Sequence, residues 1–270
     1  MKTNKKELER LYNLGLKLEK QGDFDGAADA YQQALKVDPQ DFGGIKVRLA
    51  SMGRGEVPEI ASRAYVSTLF DQNAEMFDYI LVDQLGYNVP FQLRDTVGRC
   101  FPEKTFDKML DLGCGTGLSG EAFEDITDQR TGVDLSENMV EISHEKMLYE
   151  HLFVGDVIDF VNKADDKWNL IVATDVLPYM GDIKLFFKGV SKCLEPNGLF
   201  GFSTEILSLD AFKGCNYSVG PHQRFAHQQR YIETELADNK LRLVEVEDIT
   251  VRAEQGEPVP GQLYLVEKIV

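Results

Sequence analysis

Basic residues are scarce in this sequence: 29 lysines and arginines stand against 45 aspartates and glutamates, a formal net charge of −16 at pH 7. That balance opposes attachment to a nucleic-acid backbone or an anionic membrane, and it favours a small or cationic ligand over a polyanion unless a local basic patch overrides the average. No apolar run approaches the length of a membrane-spanning helix, and the opening Met-Lys-Thr-Asn-Lys-Lys-Glu has no signal-peptide core. Cysteine is sparse too. Cys100, Cys114, Cys193 and Cys215 show no Cys-x-x-Cys spacing, so nothing points to a zinc site or a disulfide framework. Reduced thiols fit a cytosolic protein. The expectation is a cytoplasmic chain with no metal, no nucleic-acid partner and no membrane partner.

What the chain does have is one dense motif. Residues 106–117, Phe-Asp-Lys-Met-Leu-Asp-Leu-Gly-Cys-Gly-Thr-Gly, run a short apolar strand into Asp111 and three glycines spaced by two. Lacking a Cβ, Gly113, Gly115 and Gly117 can take φ > 0 and admit a small molecule to contact with bare main chain. A dinucleotide fingerprint needs its third glycine one residue later, where Leu118 stands, and the Asp111 carboxylate would face a pyrophosphate. An ammonium group suits that carboxylate better, because charge-assisted hydrogen bonds are about twice as strong as neutral ones. S-adenosylmethionine (SAM) carries one.

Arg130-Thr-Gly-Val-Asp134 reads as a second strand ending in an acid, placed to accept from both hydroxyls of a ribose. Leu152-Phe-Val-Gly-Asp156 repeats the pattern with a carboxylate able to accept from an adenine amino group, and Trp168-Asn-Leu-Ile-Val-Ala-Thr-Asp175 repeats it again. Asp111, Asp134, Asp156 and Asp175 would then ring one crevice at the carboxyl edge of a parallel sheet. The plainer alternative is a structural glycine turn with aspartates that only cap helices. Several motifs in the right order favour the ligand site.

In this order of motifs the sequence resembles the class I SAM-dependent methyltransferases, over residues 60–270. The resemblance implies an α/β fold with a Rossmann-like seven-stranded mixed sheet and SAM as cofactor. It assigns the glycine loop, with Asp111, Leu112, Gly113, Gly115 and Gly117, to the methionine part, Asp134 to the ribose and Asp156 to the adenine, with Leu135, Gly155 and Val157 also in the cofactor site. Met139 would pack on the adenine face, and Asp175 would join the same crevice. Leu199-Phe-Gly-Phe-Ser203, Leu241–Asp248 and Gln262–Lys268 supply the remaining strands, the last two antiparallel across a Gly/Pro loop at 256–261. Helices are expected after Gly117, Glu137 and Asp182 and near 228–239. Between 60 and 100, Leu69, Phe70, Phe77, Ile80, Leu81 and Leu85 recur at helical spacing. In the family this segment often folds over bound cofactor, which makes Tyr65, Phe70 and Asn73 candidates for a lid.

The first fifty residues are a different object. Leu11, Leu14, Gly15, Leu18, Gly22, Ala27, Tyr31, Ala34 and Pro39 fit one tetratricopeptide repeat (TPR). It makes an all-α segment over 1–52, with a third helix at 41–52 and a linker at 53–59. A single repeat cannot bury its apolar face alone. It either docks on the rest of the chain as a cap or offers a groove to a protein partner. The layout resembles a family of methyltransferases with an amino-terminal TPR segment, a match carried further by Tyr65-Val-Ser-Thr-Leu-Phe-Asp-Gln-Asn-Ala-Glu-Met-Phe-Asp78 and Arg224-Phe-Ala-His227.

Methyl transfer from a sulfonium is an in-line displacement in which alignment alone can supply about 7–11 kcal/mol of the barrier. An acceptor that sheds a proton also needs a base. Candidates are Tyr179, beside Asp175 and Pro178 after the fourth strand; Glu205 after the fifth; and His227 in an insertion, 207–227, that also carries Tyr217, His222 and Arg224. The reading is a SAM-dependent methyltransferase with a small-molecule acceptor. A nucleotide-dependent oxidoreductase and a non-catalytic SAM-binding adaptor working through its TPR segment are the competing classes.

Overall fold

A computed structural model describes residues 4–269. Three helices open the chain: α1 (Lys5–Lys20), α2 (Phe24–Val37) and α3 (Ile45–Ser51). The carboxylate of Asp23 caps α2 by accepting from the Gly26 N–H. Gly15 lies where α1 and α2 touch, and a Cβ there would sit 2.4 Å from the ring of Tyr31. Helix α3 starts later than position 41, at Ile45 after its N-cap Gly44, and the Asp41 carboxylate accepts from the first backbone N–H groups of the helix, Ile45 at 2.6 Å and Lys46 at 3.1 Å. Leu11, Ala27, Tyr31, Ala34, Ile45 and Leu49 form the core of this segment.

Next come α4 (Arg63–Asn73), a 3-10 turn at Ala74–Met76, a π-helical turn at Tyr79–Gln84 and α5 (Val89–Cys100). Strands and helices then alternate: β1 (Phe106–Leu112), α6 (Leu118–Ala122), β2 (Thr127–Asp134), α7 (Glu137–Glu145), β3 (His151–Val154), α8 (Val157–Lys163), β4 (Trp168–Ala173), α9 (Lys184–Cys193) and β5 (Leu194–Glu205). A short hairpin, β6 (Tyr217–Val219) and β7 (Phe225–His227), precedes α10 (Gln229–Asp238), β8 (Leu241–Glu254) and β9 (Glu257–Lys268).

The main sheet runs β3-β2-β1-β4-β5-β9-β8, parallel through β5, with β9 antiparallel between β5 and β8. This is the expected seven-stranded mixed sheet. The hairpin is an addition, joined to β5 where Glu205 pairs with Ala226. Strands β8 and β9 are longer than their sequence pattern indicates, and the expected loop at 256–261 shrinks to Gln255 and Gly256, with φ of 53° and 85°. Two consecutive positive φ values match the twist of a tight hairpin. Pro258 and Pro260 can sit in β9 because it pairs with β5 only from Gly261 onward, so that stretch is a sheet edge.

One face of the sheet is filled by Phe186, Phe187, Phe200, Phe202 and Tyr264. The other is filled by Leu93, Phe106, Met109, Val172 and Leu265. The helical segment rests on this body: Val47 and Ala50 of α3 pack with Ala61, Tyr65, Val219 and Phe225. Ser62 caps α4 by accepting from Tyr65 N–H, and its hydroxyl donates to the Asp41 carbonyl at 2.7 Å. The Glu59 carbonyl accepts from the N–H groups of Gly181 and Asp182. No helix among the described residues is long and apolar enough to cross a membrane, and none of their His, Cys, Asp and Glu side chains cluster to hold a metal ion.

Candidate functional site

A cavity of about 280 Å³ opens at the carboxyl edge of the parallel strands. Its floor is the glycine loop after β1 together with the ends of β2, β3 and β4, and its roof is α4 and the π-helical turn. Gly113, Gly115 and Gly117 have φ of 75°, 50° and 97°, a course that side chains other than glycine rarely follow. A Cβ on Gly115 would meet no atom within 4 Å, so this residue presents bare backbone to open space, whereas one on Gly113 would strike Val176.

Asp134 at the end of β2 shapes that loop. Its Oδ2 accepts from Gly115 N–H at 2.9 Å and its Oδ1 from Ser136 N–H at 2.8 Å, and it lines the cavity. Burial raises its pKa, and these backbone donors work against the rise. The roof is tied to the same loops by side chains that spacing alone did not single out. Asp71 accepts from the Ser136 hydroxyl at 2.5 Å, and Asp78 accepts from the Thr116 hydroxyl at 2.5 Å and from Lys146 at 2.6 Å. Phe70 and Asn73 face the cavity. Tyr65 does not line it; it packs against Gly44 of the helical segment, where a Cβ would come within 2.6 Å of its ring.

On the β3 side, Leu135, Asp156 and Val157 line the cavity. Asp156 is also the N-cap of α8, accepting from Asp159 N–H at 2.9 Å, and it pairs with Arg63 at 2.9 Å. Leu112, Gly117, Met139 and Gly155 stand behind the lining. So does Asp111, and its expected meeting with a ligand ammonium needs correcting. It is fully buried, with Oδ2 accepting from the Tyr149 hydroxyl at 2.6 Å, while the Tyr149 oxygen accepts from Gly120 N–H at 2.9 Å. Asp111 braces the loop against α6.

Burial pushes the pKa of Asp111 up to about 7, against the Tyr149 hydrogen bond that lowers it. The folded state therefore keeps a proton that the unfolded chain releases near pH 4, so stability declines as pH rises from about 4 to about 7 and is flat above that. Asn cannot ionise. Asp111→Asn should remove the decline, so that its thermal midpoint gains roughly 5–10 °C on the parent protein between pH 5 and pH 8. Parallel melting curves across that range would contradict the assignment.

The end of the cavity beyond β4 is built from charges. Asp175 has φ of 59°, and its N–H donates to the Ser203 hydroxyl at 2.8 Å. Burial raises its pKa to about 6, partly offset by Arg252. Arg252 of β8 reaches Glu205 at 2.8 Å, Glu254 at 3.1 Å and Asp175 at 3.7 Å. Arg224 lies 4.6 Å from the ring centroid of Tyr179, and Tyr179, Arg224, Arg252 and Asp175 all line the cavity. Arg252 carried no signal in the sequence beyond being a lone cation in an acidic stretch, 77 residues after Asp175.

Two of the three expected bases are misplaced for the role. His227 is buried, its Nε2–H donates to the Gly181 carbonyl at 3.2 Å, its ring stacks on Tyr231, and it does not line the cavity. Burial drops its pKa to about 4, so it is a neutral core residue. Glu205 is buried as well, engaged with Arg252 and behind the lining. Tyr179 does face the cavity, with its hydroxyl pushed to higher pKa by burial.

A model of a methyltransferase domain matches residues 85–246, and a tetratricopeptide repeat model matches residues 9–41. The ubiquinone biosynthesis O-methyltransferase of Idiomarina loihiensis is 26% identical over 175 residues, covering 60% of this chain and 70% of that protein. Its namesake in Bradyrhizobium diazoefficiens is 27% identical over 150 residues, 51% of this chain and 59% of that one. Among solved structures, a SAM-dependent methyltransferase from Clostridium acetobutylicum superposes with a TM-score of 0.56 at 19% identity, over 75% of this chain and all of that one. The N-methyltransferase NodS from Bradyrhizobium japonicum, in complex with S-adenosylhomocysteine, gives 0.58 at 16% identity over 75% and 98%.

Proposed function

This chain belongs to the methyltransferase-domain family, and from that premise we propose that it transfers a methyl group from SAM to a small-molecule acceptor, with Asp175 taking the acceptor's proton. The supporting observation is that a glycine cradle, two strand-end carboxylates and a base tuned close to neutral pH open into the same cavity.

The residues fit the donor. Gly115 offers backbone with free space in front of it, Asp134 and Asp156 are acceptors suited to a ribose diol and an adenine amino group, and Leu135, Val157 and Phe70 are apolar walls for a flat base. When bound, SAM supplies an electrophilic methyl group on a sulfonium. The chain's own work is to hold, align and deprotonate. Asp71 and Asp78 fasten the roof to the floor loops, which excludes water from the reacting pair. An acceptor hydroxyl, the oxygen chemistry in the names of the Idiomarina and Bradyrhizobium relatives, must shed its proton, and a carboxylate of pKa about 6 takes it at neutral pH. Arg252 at 3.7 Å and the Ser203 hydroxyl, which donates to Oδ1 at 3.5 Å, hold that carboxylate in place.

Calorimetry tests the donor half of the reading. The protein should bind SAM and not NADH, and Asp134→Ala should weaken SAM about ten- to a hundredfold, the loss of charge-assisted hydrogen bonds worth about 1.5–3 kcal/mol. NADH binding without SAM binding would overturn it, and unchanged SAM affinity in a folded Asp134→Ala protein would remove that residue from the site. Binding of SAM with no turnover across a broad acceptor panel is the outcome that would favour a non-catalytic adaptor.

A further inference from the structure

Three arginines line the cavity, and they differ in how they are balanced. Arg63 pairs with Asp156 at 2.9 Å and Asp159 at 3.0 Å. Arg252 is shared among Glu205, Glu254 and Asp175. Arg224 has no carboxylate within 4.0 Å among the described residues. Its guanidinium lies on the face of Tyr179, and Tyr65 is its other near neighbour. The acids whose field reaches it, Glu205 and Asp175, are both engaged with Arg252.

Arg224 is half-buried, and taking a guanidinium even partly out of water without a counter-charge is costly, a cost that a ring face compensates only in part. The hairpin nevertheless holds it there. Arg224 immediately precedes β7, its carbonyl accepts from Gly220 N–H at 2.8 Å, and Phe225 next to it is fully buried, so the backbone that carries the side chain is anchored at the cavity. A fork of donors without a carboxylate partner, facing a cavity, matches a planar carboxylate in both charge and shape.

Resting on the methyl-transfer reading of this site, we propose that the acceptor is an apolar molecule bearing a single carboxylate, which Arg224 binds while the acceptor's nucleophile faces Asp175. The apolar requirement comes from Val66, Leu69, Phe70 and Tyr179 along the wall. The single charge comes from Asp175, the acid that lines this end of the cavity: a dianion such as a phosphate would confront it with one guanidinium free of a carboxylate to offset both charges. The whole-chain charge of −16 favours neutral or cationic ligands, and Arg224 is the local exception that reverses it.

The test uses the full-length protein, with and without S-adenosylhomocysteine, and measures binding of benzoate, phenylacetate and 3-phenylpropanoate against their amides and against phenyl phosphate. At least one carboxylate should bind about ten- to a hundredfold tighter than its amide and tighter than phenyl phosphate. Arg224→Met should reduce that preference to under about threefold while S-adenosylhomocysteine affinity stays within about twofold, and Arg224→Lys should retain part of it. Equal binding of acids and amides to the parent protein overturns the proposal whether or not the variants fold, and so does a preference that survives in Arg224→Met. Tighter binding of phenyl phosphate overturns the choice of a monoanion. A carboxylate preference in a protein that fails to bind S-adenosylhomocysteine would uphold the anion site and reject the donor.

Discussion

Asp175→Asn is expected to lower kcat about 10²–10⁴-fold with any hydroxyl acceptor that the parent protein methylates, the usual worth of a positioned base. The pH dependence gives this prediction its sign. The side chain works in its deprotonated form, and burial holds its pKa near 6 against the pull of Arg252. For the parent protein kcat/KM should therefore climb as pH rises through about 6 and level off above it, and the variant should lack that limb. Affinity for S-adenosylhomocysteine should hardly change, because the charged neighbours of Asp175 are Arg252, Glu205 and Arg224, not the acids at the ends of β2 and β3. A residue that only balances Arg252 would behave otherwise: thermal stability and donor affinity would fall together and the limb near pH 6 would persist in the variant. That result would sink the assignment.

The contrast between Asp175 and Asp111 shows how far the sequence could be read. Both come at the end of apolar runs in motifs that look alike. In a sheet covered on both faces the strands are apolar throughout, so no alternation reveals which way a terminal acid points. Asp175 lies past its strand in a left-handed conformation and lines the cavity, whereas Asp111 is still within β1 and its carboxylate is taken by Tyr149, a partner 38 residues away. The sheet order was legible because the glycine loop, the strand-end acids and the antiparallel closing pair are all local patterns. The hairpin β6–β7 was not, since strands of three residues are too short to show a period. His227 misled for a related reason. Phe-Ala-His is buried at all three positions, and a titratable side chain in a buried run gives no outward sign of being core. Arg252 lies on β8, and its side chain meets Asp175 because the sheet sets β8 beyond β5 and β9 from β4, an order that no local feature of the chain carries. Tyr65 sits in the segment that makes the roof, yet the helical segment over it takes its ring, a contact visible only once the first fifty residues are in place.

That contact sets up the second large effect. Removing residues 1–52 should lower the thermal midpoint by roughly 6–24 °C and make the remainder prone to self-association. Val47 and Ala50 cover Val219 and Phe225 of the hairpin, together with Ala61 and Tyr65. Exposing a fully buried valine or phenylalanine costs about 1.5–3 kcal/mol each, and a domain of this size shifts by about 2–4 °C per kcal/mol. The loss should reach the cavity as well. Ser62 donates to the carbonyl of Asp41, Tyr65 packs on Gly44, and Arg224 lies beside Tyr65, so the truncated protein should lose carboxylate binding by a larger factor than it loses S-adenosylhomocysteine, whose floor loops touch none of the deleted residues. Differential scanning fluorimetry, sedimentation and calorimetry on the truncated protein read all three. A monomeric truncation with an unchanged midpoint and unchanged affinities would mean that the repeat is a free appendage, with its groove available to another protein. A loss confined to the acceptor end would mean that an isolated repeat has been kept because it finishes one wall of the cavity.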